Sequence, residues 1–354
     1  MTQAQNVIVI MNESFSNLRV INDEMIPEDN MQYIDSLTEN VIKGNLYVPV
    51  YGAGTCNTEF EALTGVSIRY TPATPYVTCM NQSVNSLVSH MNDKAYSSYA
   101  IHPYRIENWN RKQVYLYMGF EQITSIEDMD NPELLRWCVS DECDYKEIIQ
   151  LNQENTTDRF FMFNVMMQNH GGYGGEYADF ENTVDLSQYG DFPQTEMYLP
   201  LMKVTDQAFQ ELIEYYEQVD EPTLICMFGD HQGAIETEFY ELLYGKTEDK
   251  WTHEDQMKRY ITPFIIWTNY DIEEQMIDKI SANYLSAIIQ QAAGYELEGY
   301  DAFLYNMYQK YPVLSVNGIY DANGTFYLDE EEIEDPMMLQ YQYLQYYRMH
   351  GGAD

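Results

Sequence analysis

Four short polar clusters carry side chains able to do chemistry: Asn12-Glu13-Ser14, Gly52-Ala53-Gly54-Thr55-Cys56-Asn57-Thr58-Glu59-Phe60, Gln168-Asn169-His170-Gly171-Gly172 and Phe228-Gly229-Asp230-His231-Gln232. Glu13, Asp230 and His231 offer the hard oxygen and imidazole donors that suit Mn²⁺, Mg²⁺ or Zn²⁺. Thr55 follows a glycine-rich turn at a helix start, where free backbone N–H groups and the helix dipole favour an anion. A hydroxyl beside a metal is a nucleophile in waiting, because coordination lowers the pKa of bound water from about 15.7 to about 7 and acts on an alcohol in the same sense. Each cluster alone has a plainer use: a solvated loop Glu, an Asp-His turn, a flexible Gly-x-Gly-Thr, a helix cap at Thr58. What lifts them above that is their coincidence at strand ends.

A fifth stretch, His102-Pro103-Tyr104-Arg105-Ile106-Glu107-Asn108-Trp109-Asn110-Arg111, stands out because arginine is scarce in this chain. Arg111 could clamp a phosphate in bidentate fashion while Trp109 packs on a substrate's carbon skeleton. An ordinary Arg–carboxylate pair in a loop fits the residues equally well.

The elements that must position these groups are legible in outline. Asn6 to Met11, Phe160 to Met167, Leu224 to Phe228 and Ile261 to Trp267 are continuous apolar runs, the mark of strands covered on both faces in a mainly parallel sheet. Between them lie helical patterns. Leu201, Val204, Ala208, Leu212 and Tyr215 make one apolar face over residues 200–219, with Pro200 suited to the first turn. Met31, Ile34, Leu37 and Val41 make another, closed by Gly44 as a C-cap. The alternation predicts an α/β fold with a central sheet sandwiched by helices and its site at the C-terminal strand ends. Residues 318–328 predict a β-hairpin and 337–349 a terminal helix. The expected organisation is a catalytic domain over 1–300, with 301–354 packed on the same body.

Composition narrows the function. The chain has 354 residues, with 57 acidic against 18 basic side chains, a formal charge of −39. Nucleic-acid affinity comes largely from Lys and Arg displacing counterions, so a nucleic-acid partner is excluded. An anionic membrane surface repels such a domain in the same way. A hydrophobic fraction of 45% is ample for a folded core. No run approaches the roughly 18 apolar residues of a membrane span, and Met1 to Gln5 lacks signal-peptide features. The first strand begins almost at once, as expected of a domain cut from a longer protein. Five cysteines without CxxC spacing indicate neither a disulfide framework nor a zinc site.

Asn12-Glu13-Ser14, the Thr55 loop running into Thr58-Glu59-Phe60, Trp109-Asn110-Arg111, Asn169-His170 and Gly229-Asp230-His231 together resemble, in kind and order, the extracellular catalytic domain of lipoteichoic acid synthases and related phosphoglycerol transferases. These belong to the alkaline phosphatase and sulfatase superfamily. The resemblance runs from about Asn6 to about Tyr270. It implies that Glu13, Thr55, Asp230 and His231 hold one divalent ion, Mn²⁺ before Mg²⁺ or Zn²⁺, with Thr55 as nucleophile. It implies that His170, His102, Trp109 and Arg111 surround the bound phosphoglycerol. Gly54 stands where the best-known synthases carry Lys, and Cys56 and Asn57 replace other small polar residues. A sulfatase proper would carry Cys/Ser-x-Pro-x-Arg, whereas Asn57-Thr58-Glu59 follow Cys56.

The implied reaction moves glycerol phosphate from phosphatidylglycerol or a related headgroup to a glycan or polyglycerol-phosphate acceptor, through phospho-Thr55, with His170 protonating or orienting the leaving oxygen. The resemblance places the domain at the extracellular face of a bacterial membrane, held by an anchor outside these residues. The alternatives are a phosphodiesterase or phosphatase, a phosphoethanolamine transferase, or an inactive glycerophosphate-binding module.

Overall fold

Runs of β-branched residues with no polar face must be covered on both sides, and the sheet is built that way. The computed structural model describes residues 2–155 and 157–350; the last four residues of the expected 301–354 segment lie outside it. Strands β1 (Asn6–Asn12), β2 (Val41–Tyr47), β3 (Ser97–His102), β4 (Gln122–Ser125), β7 (Phe160–Val165), β8 (Thr223–Gly229), β9 (Ile261–Thr268) and β10 (Gln275–Ser281) form one sheet. Their order is β10-β2-β9-β8-β1-β7-β3-β4. Every neighbouring pair is parallel except the two made by β9, which runs antiparallel to β2 and β8. Two further strands, β5 (Leu134–Leu135) and β6 (Cys138–Val139), make a separate small hairpin.

Side chains alternate across each strand. Val7, Val9 and Met11 of β1 face one apolar cluster, with Phe60, Leu285 and Leu304 from helices on that side. Ile8 and Ile10 face the other, with Leu201, Phe209 and Tyr216 of the Pro193–Tyr216 helix. The C-terminal part adds β11 (Val313–Ser315), β12 (Gly318–Tyr320) and β13 (Phe326–Tyr327), an antiparallel trio containing the expected hairpin. It ends in the helix Pro336–Met349, whose Met338 and Tyr341 join the first cluster.

Two local expectations are corrected. The face from Met31 to Val41 is not one helix: a short helix, Gln32–Ser36, gives way to β2, with Gly44 in mid-strand. The reason is a close approach, since a Cβ on Gly44 would lie 1.8 Å from the carbonyl oxygen of Ile277 in neighbouring β10. The long helix starts at Pro193, not Pro200, which lies about two turns inside it. Its buried stripe takes in Thr205, Phe209 and Tyr216 and leaves Val204 and Tyr215 at the margin.

The Thr55–Thr64 helix is buried at every residue. It therefore buries carboxyls, and Glu61 shows the consequence. Its Oε1 accepts from Ile68 N–H (2.8 Å) and Ser67 Oγ (3.1 Å), and its Oε2 has no partner. Burial pushes this carboxyl up to about 8, against the opposing effect of those two bonds. A folded-state pKa above the ordinary 4.5 means the native protein holds a proton that the unfolded chain releases. Stability from this group is thus complete below about pH 4.5 and is lost as pH rises to about 8. Urea titrations from pH 5 to 9 should show Glu61→Gln gaining on the wild type up to about pH 8, by at most about 1.4 kcal/mol per pH unit, then a constant difference.

Candidate active site

Strand register builds the centre. In the parallel pair β1–β8, Asn12 lies opposite Gly229, so the next residues, Glu13 and Asp230, leave the sheet side by side. The turn after β1 then folds back across the end of β8. Ser14 adopts a left-handed φ of 51°, and a Cβ on Gly229 would lie 1.8 Å from the Phe15 carbonyl oxygen, so only glycine fits there. The N–H groups of Ser14 (2.7 Å) and His231 (2.8 Å) both donate to Asp230 Oδ1. Thr58 Oγ donates to the Asp230 carbonyl at 2.7 Å, which locks the Thr55 helix to the same loop.

Thr55 is the first residue of that helix, preceded by Gly54 at φ 92°. Its hydroxyl donates to Glu13 Oε2 at 3.4 Å. His231 Nε2 lies 3.2 Å from Asp230 Oδ2 and 3.7 Å from Glu13 Oε1. The donor atoms of Glu13, Asp230 and His231 all fall within 4.8 Å of one another, and all three residues are buried. His231 Nδ1 donates to the Gln232 carbonyl at 2.9 Å, because a carbonyl only accepts, and this leaves the Nε2 lone pair facing the carboxylates.

The electrostatics call for a cation. Burial, then the Glu13 charge, pushes the Asp230 carboxyl up to about 6. Burial works to lower the pKa of His231, but Asp230 and Glu13 outweigh it and raise it. Asp230 Oδ2 has no hydrogen-bond donor. Glu13 accepts only from two hydroxyls, Ser14 Oγ (2.9 Å) on Oε1 and Thr55 Oγ (3.4 Å) on Oε2. Together with the bare Asp230 oxygen and the His231 imidazole, these groups fit one divalent ion.

The remaining expected residues divide. His170 is exposed beside this centre; partial burial lowers its pKa, Asp230 opposes that, and His231 and Arg136 add to it. Its imidazole is therefore mainly neutral at pH 7. Trp109 is 39% exposed, with φ 59°. Arg111 and His102 are buried behind the centre. Of the two uses open to Arg111, a phosphate clamp or a carboxylate pair, the carboxylate pair is the arrangement present. Its Nε donates to Glu59 Oε2 (3.0 Å) and its Nη1 to His102 Nε2 (3.1 Å), since a desolvated guanidinium needs a partner of opposite charge. His102 Nδ1 in turn donates to the Val165 carbonyl at 3.0 Å, and burial together with Arg111 holds the ring neutral.

Other groups escaped sequence reasoning. Asp141 and Thr205 join Asn12 and Asn169 in a buried network under the site, with Asn169 Nδ2 on Asn12 Oδ1 (2.8 Å) and Thr205 Oγ on Asp141 Oδ2 (2.6 Å). It fixes the residues preceding Glu13 and His170. Arg136 and Trp137 sit at the tip of the β5–β6 hairpin, and Arg136 Nη2 donates to the carbonyls of His170 (2.7 Å) and Gly171 (2.9 Å). The scarcity of arginine that drew attention to Arg111 applies equally to Arg136.

Residues 5–295 match the Sulfatase family. A putative cyclic β-1,2-glucan modification protein of Rhizobium meliloti (strain 1021) is 33% identical over 98% of this chain, and the chain spans 55% of that relative's length. Among solved structures, the phosphoglycerol transferase GacH of Streptococcus pyogenes, in complex with sn-glycerol-1-phosphate, superposes with TM-score 0.76 at 20% identity over 97% of this chain and 86% of that one. The lipoteichoic acid synthase LtaP of Listeria monocytogenes gives TM-score 0.74 at 15% identity, over 99% and 93%. At these identities the two structures speak for the fold, an alkaline phosphatase-like α/β sandwich.

Metal analysis tests the centre directly. Protein stripped with chelator and dialysed against Mn²⁺ should take up one ion per chain by mass spectrometry. Asp230→Asn should weaken that uptake by about 100-fold or more, above the roughly 10- to 100-fold cost of losing an outer-shell partner. Equal ion content in both proteins would remove Asp230 from the ligand set.

Proposed function

This chain belongs to the Sulfatase family, and we propose that it is a metal-dependent phosphoglycerol transferase that moves glycerol phosphate from phosphatidylglycerol, or a lipid with the same headgroup, to a glycan. The observation that carries this is the Thr55 hydroxyl, first in a buried helix and bonded to Glu13 within the Glu13–Asp230–His231 cluster. The phosphoglycerol transferase among the structural neighbours supports the transferred group, and the glucan-modifying relative supports a glycan acceptor.

Glu13, Asp230, His231 and Thr55 would hold the ion, which when bound supplies Lewis acidity towards the Thr55 hydroxyl and the phosphoryl oxygens. Thr55 Oγ attacks phosphorus as its proton leaves towards Glu13 Oε2, the oxygen it already faces. The bond between phosphorus and the diacylglycerol oxygen breaks, and the minor, protonated form of His170 delivers a proton to that oxygen. The N-terminal N–H groups of the Thr55 helix face the growing negative charge. In the second half, His170 takes the proton of an acceptor hydroxyl as its oxygen attacks, the Thr55–phosphorus bond breaks, and Glu13 Oε2 returns its proton to the departing Thr55 Oγ. The Arg111–Glu59 pair holds the helix behind Thr55.

Cys56, next to the nucleophile, takes no part: burial, with Glu59 beside it, pushes its thiol up to about 12, so no thiolate forms near neutral pH. We place the domain at the outer face of a bacterial membrane, anchored by segments beyond it. Among the described residues no helix is long and apolar enough to cross a membrane.

The test uses phosphatidylglycerol labelled in its headgroup glycerol. With Mn²⁺ the wild type should acquire label on Thr55 and pass it to added glucan. Thr55→Ala should lose labelling and transfer by about 1,000-fold or more while still binding the ion. Free glycerol phosphate as sole product would make the protein a hydrolase, and full activity of Thr55→Ala would refute the nucleophile.

A further inference from the structure

The β5–β6 hairpin is too short to be held by its own ladder, yet its tip is pinned firmly. Arg136 occupies a left-handed φ of 62°, and its backbone N–H donates to Asp179 Oδ2 at 2.8 Å. Its guanidinium stands over the rings of Tyr173 (5.4 Å) and Tyr177 (5.1 Å) while gripping the His170 and Gly171 carbonyls. Arg136 is thus a positioning residue, and what it positions beside His170 is Trp137. The indole meets the His170 ring edge-to-face at 5.2 Å and the Tyr104 ring at 6.4 Å, and Tyr104 continues to His102 at 6.3 Å. Gly172, at φ 100°, passes close by, where a Cβ would lie 3.5 Å from Trp137 Nε1. Despite these contacts Trp137 remains 38% exposed.

We propose that Trp137, flanked by Tyr104, is the platform on which a sugar ring of the acceptor lies while its hydroxyl is presented to the phosphoryl group on Thr55. This rests on the transfer reading above and assigns residues to its second half. His170 serves both halves, giving a proton to the leaving oxygen and taking one from the incoming hydroxyl, so the acceptor must lie within reach of the ring that Trp137 touches. The C–H face of a pyranose carries partial positive charge and stacks on the electron-rich face of an indole, with its hydroxyls free to bond at the edges. A half-exposed indole among His170, a tyrosine and a glycine backbone matches that amphipathic ligand. An acyl chain would call for a broader apolar wall.

Cyclic β-1,2-glucan is the probe. With glucan as acceptor, Trp137→Ala should raise the acceptor KM about tenfold, the size of one lost stacking contact with its burial. The rate of Thr55 labelling by the donor without acceptor should stay within about twofold, and Trp137→Phe should recover much of the loss. An unchanged acceptor KM would overturn the proposal, as would labelling that falls in step with transfer, because the ring would then serve the lipid donor. Calorimetric titration of the same glucan needs no turnover. Glucan binding by the wild type that Trp137→Ala weakens would uphold the platform even if Thr55 never labelled, and a wild type that bound no glucan would overturn it. Loss of labelling in the wild type would instead count against the transfer reaction itself.

Discussion

Two buried carboxylates placed side by side, with the single imidazole of His231 beside them, set the terms for this molecule. The β1–β8 register brings Glu13 and Asp230 together, and the turn after β1 folds so tightly that position 229 admits no side chain. Backbone N–H groups from Ser14 and His231 satisfy one oxygen of Asp230 and leave the other bare. Repulsion of this kind is costly in a buried place unless a cation relieves it. An ion held by Glu13, Asp230 and His231 would relieve that repulsion, and so would be part of the fold as well as of the chemistry.

Behind the centre the protein uses its few cations for architecture. Arg111 neutralises Glu59, Glu59 also accepts from the Tyr76 hydroxyl at 2.9 Å, and His102 links the guanidinium to the Val165 carbonyl at the end of β7. One chain of polar contacts thus joins the helix bearing Thr55 to two strands of the sheet. In a chain of charge −39 the residues around an arginine allow a phosphate clamp or a carboxylate pair equally. Burial decides for the pair, because a guanidinium out of water is held by the carboxylate that shares its surroundings.

Much of this was legible in sequence, for identifiable reasons. The runs forming β1, β7, β8 and β9 declared themselves because strands covered on both faces need no polar alternation, and their ends pointed to Glu13, His170, Asp230 and His231. Strands β2 and β10 did not, since Gly44 and the mixed polarity around it reflect a neighbouring backbone that no local pattern announces. Whether Arg111 pairs with a carboxylate or a phosphate depends on which groups share its burial, a tertiary fact. Arg136 and Trp137 lie in the turn between two strands of two residues each, too short to show any period.

The helix bearing Thr55 is enclosed on all sides, whereas Trp109 and Trp137 stand on short, exposed turns. Descendants of such a protein face unequal freedom. A change in the enclosed part disturbs fold and reactivity at once, so drift there is quickly purged. The outer turns can be rewritten with little cost to folding, so a lineage could change what reaches the centre by altering a handful of residues there. An engineer who wished to redirect the enzyme would start at the same turns.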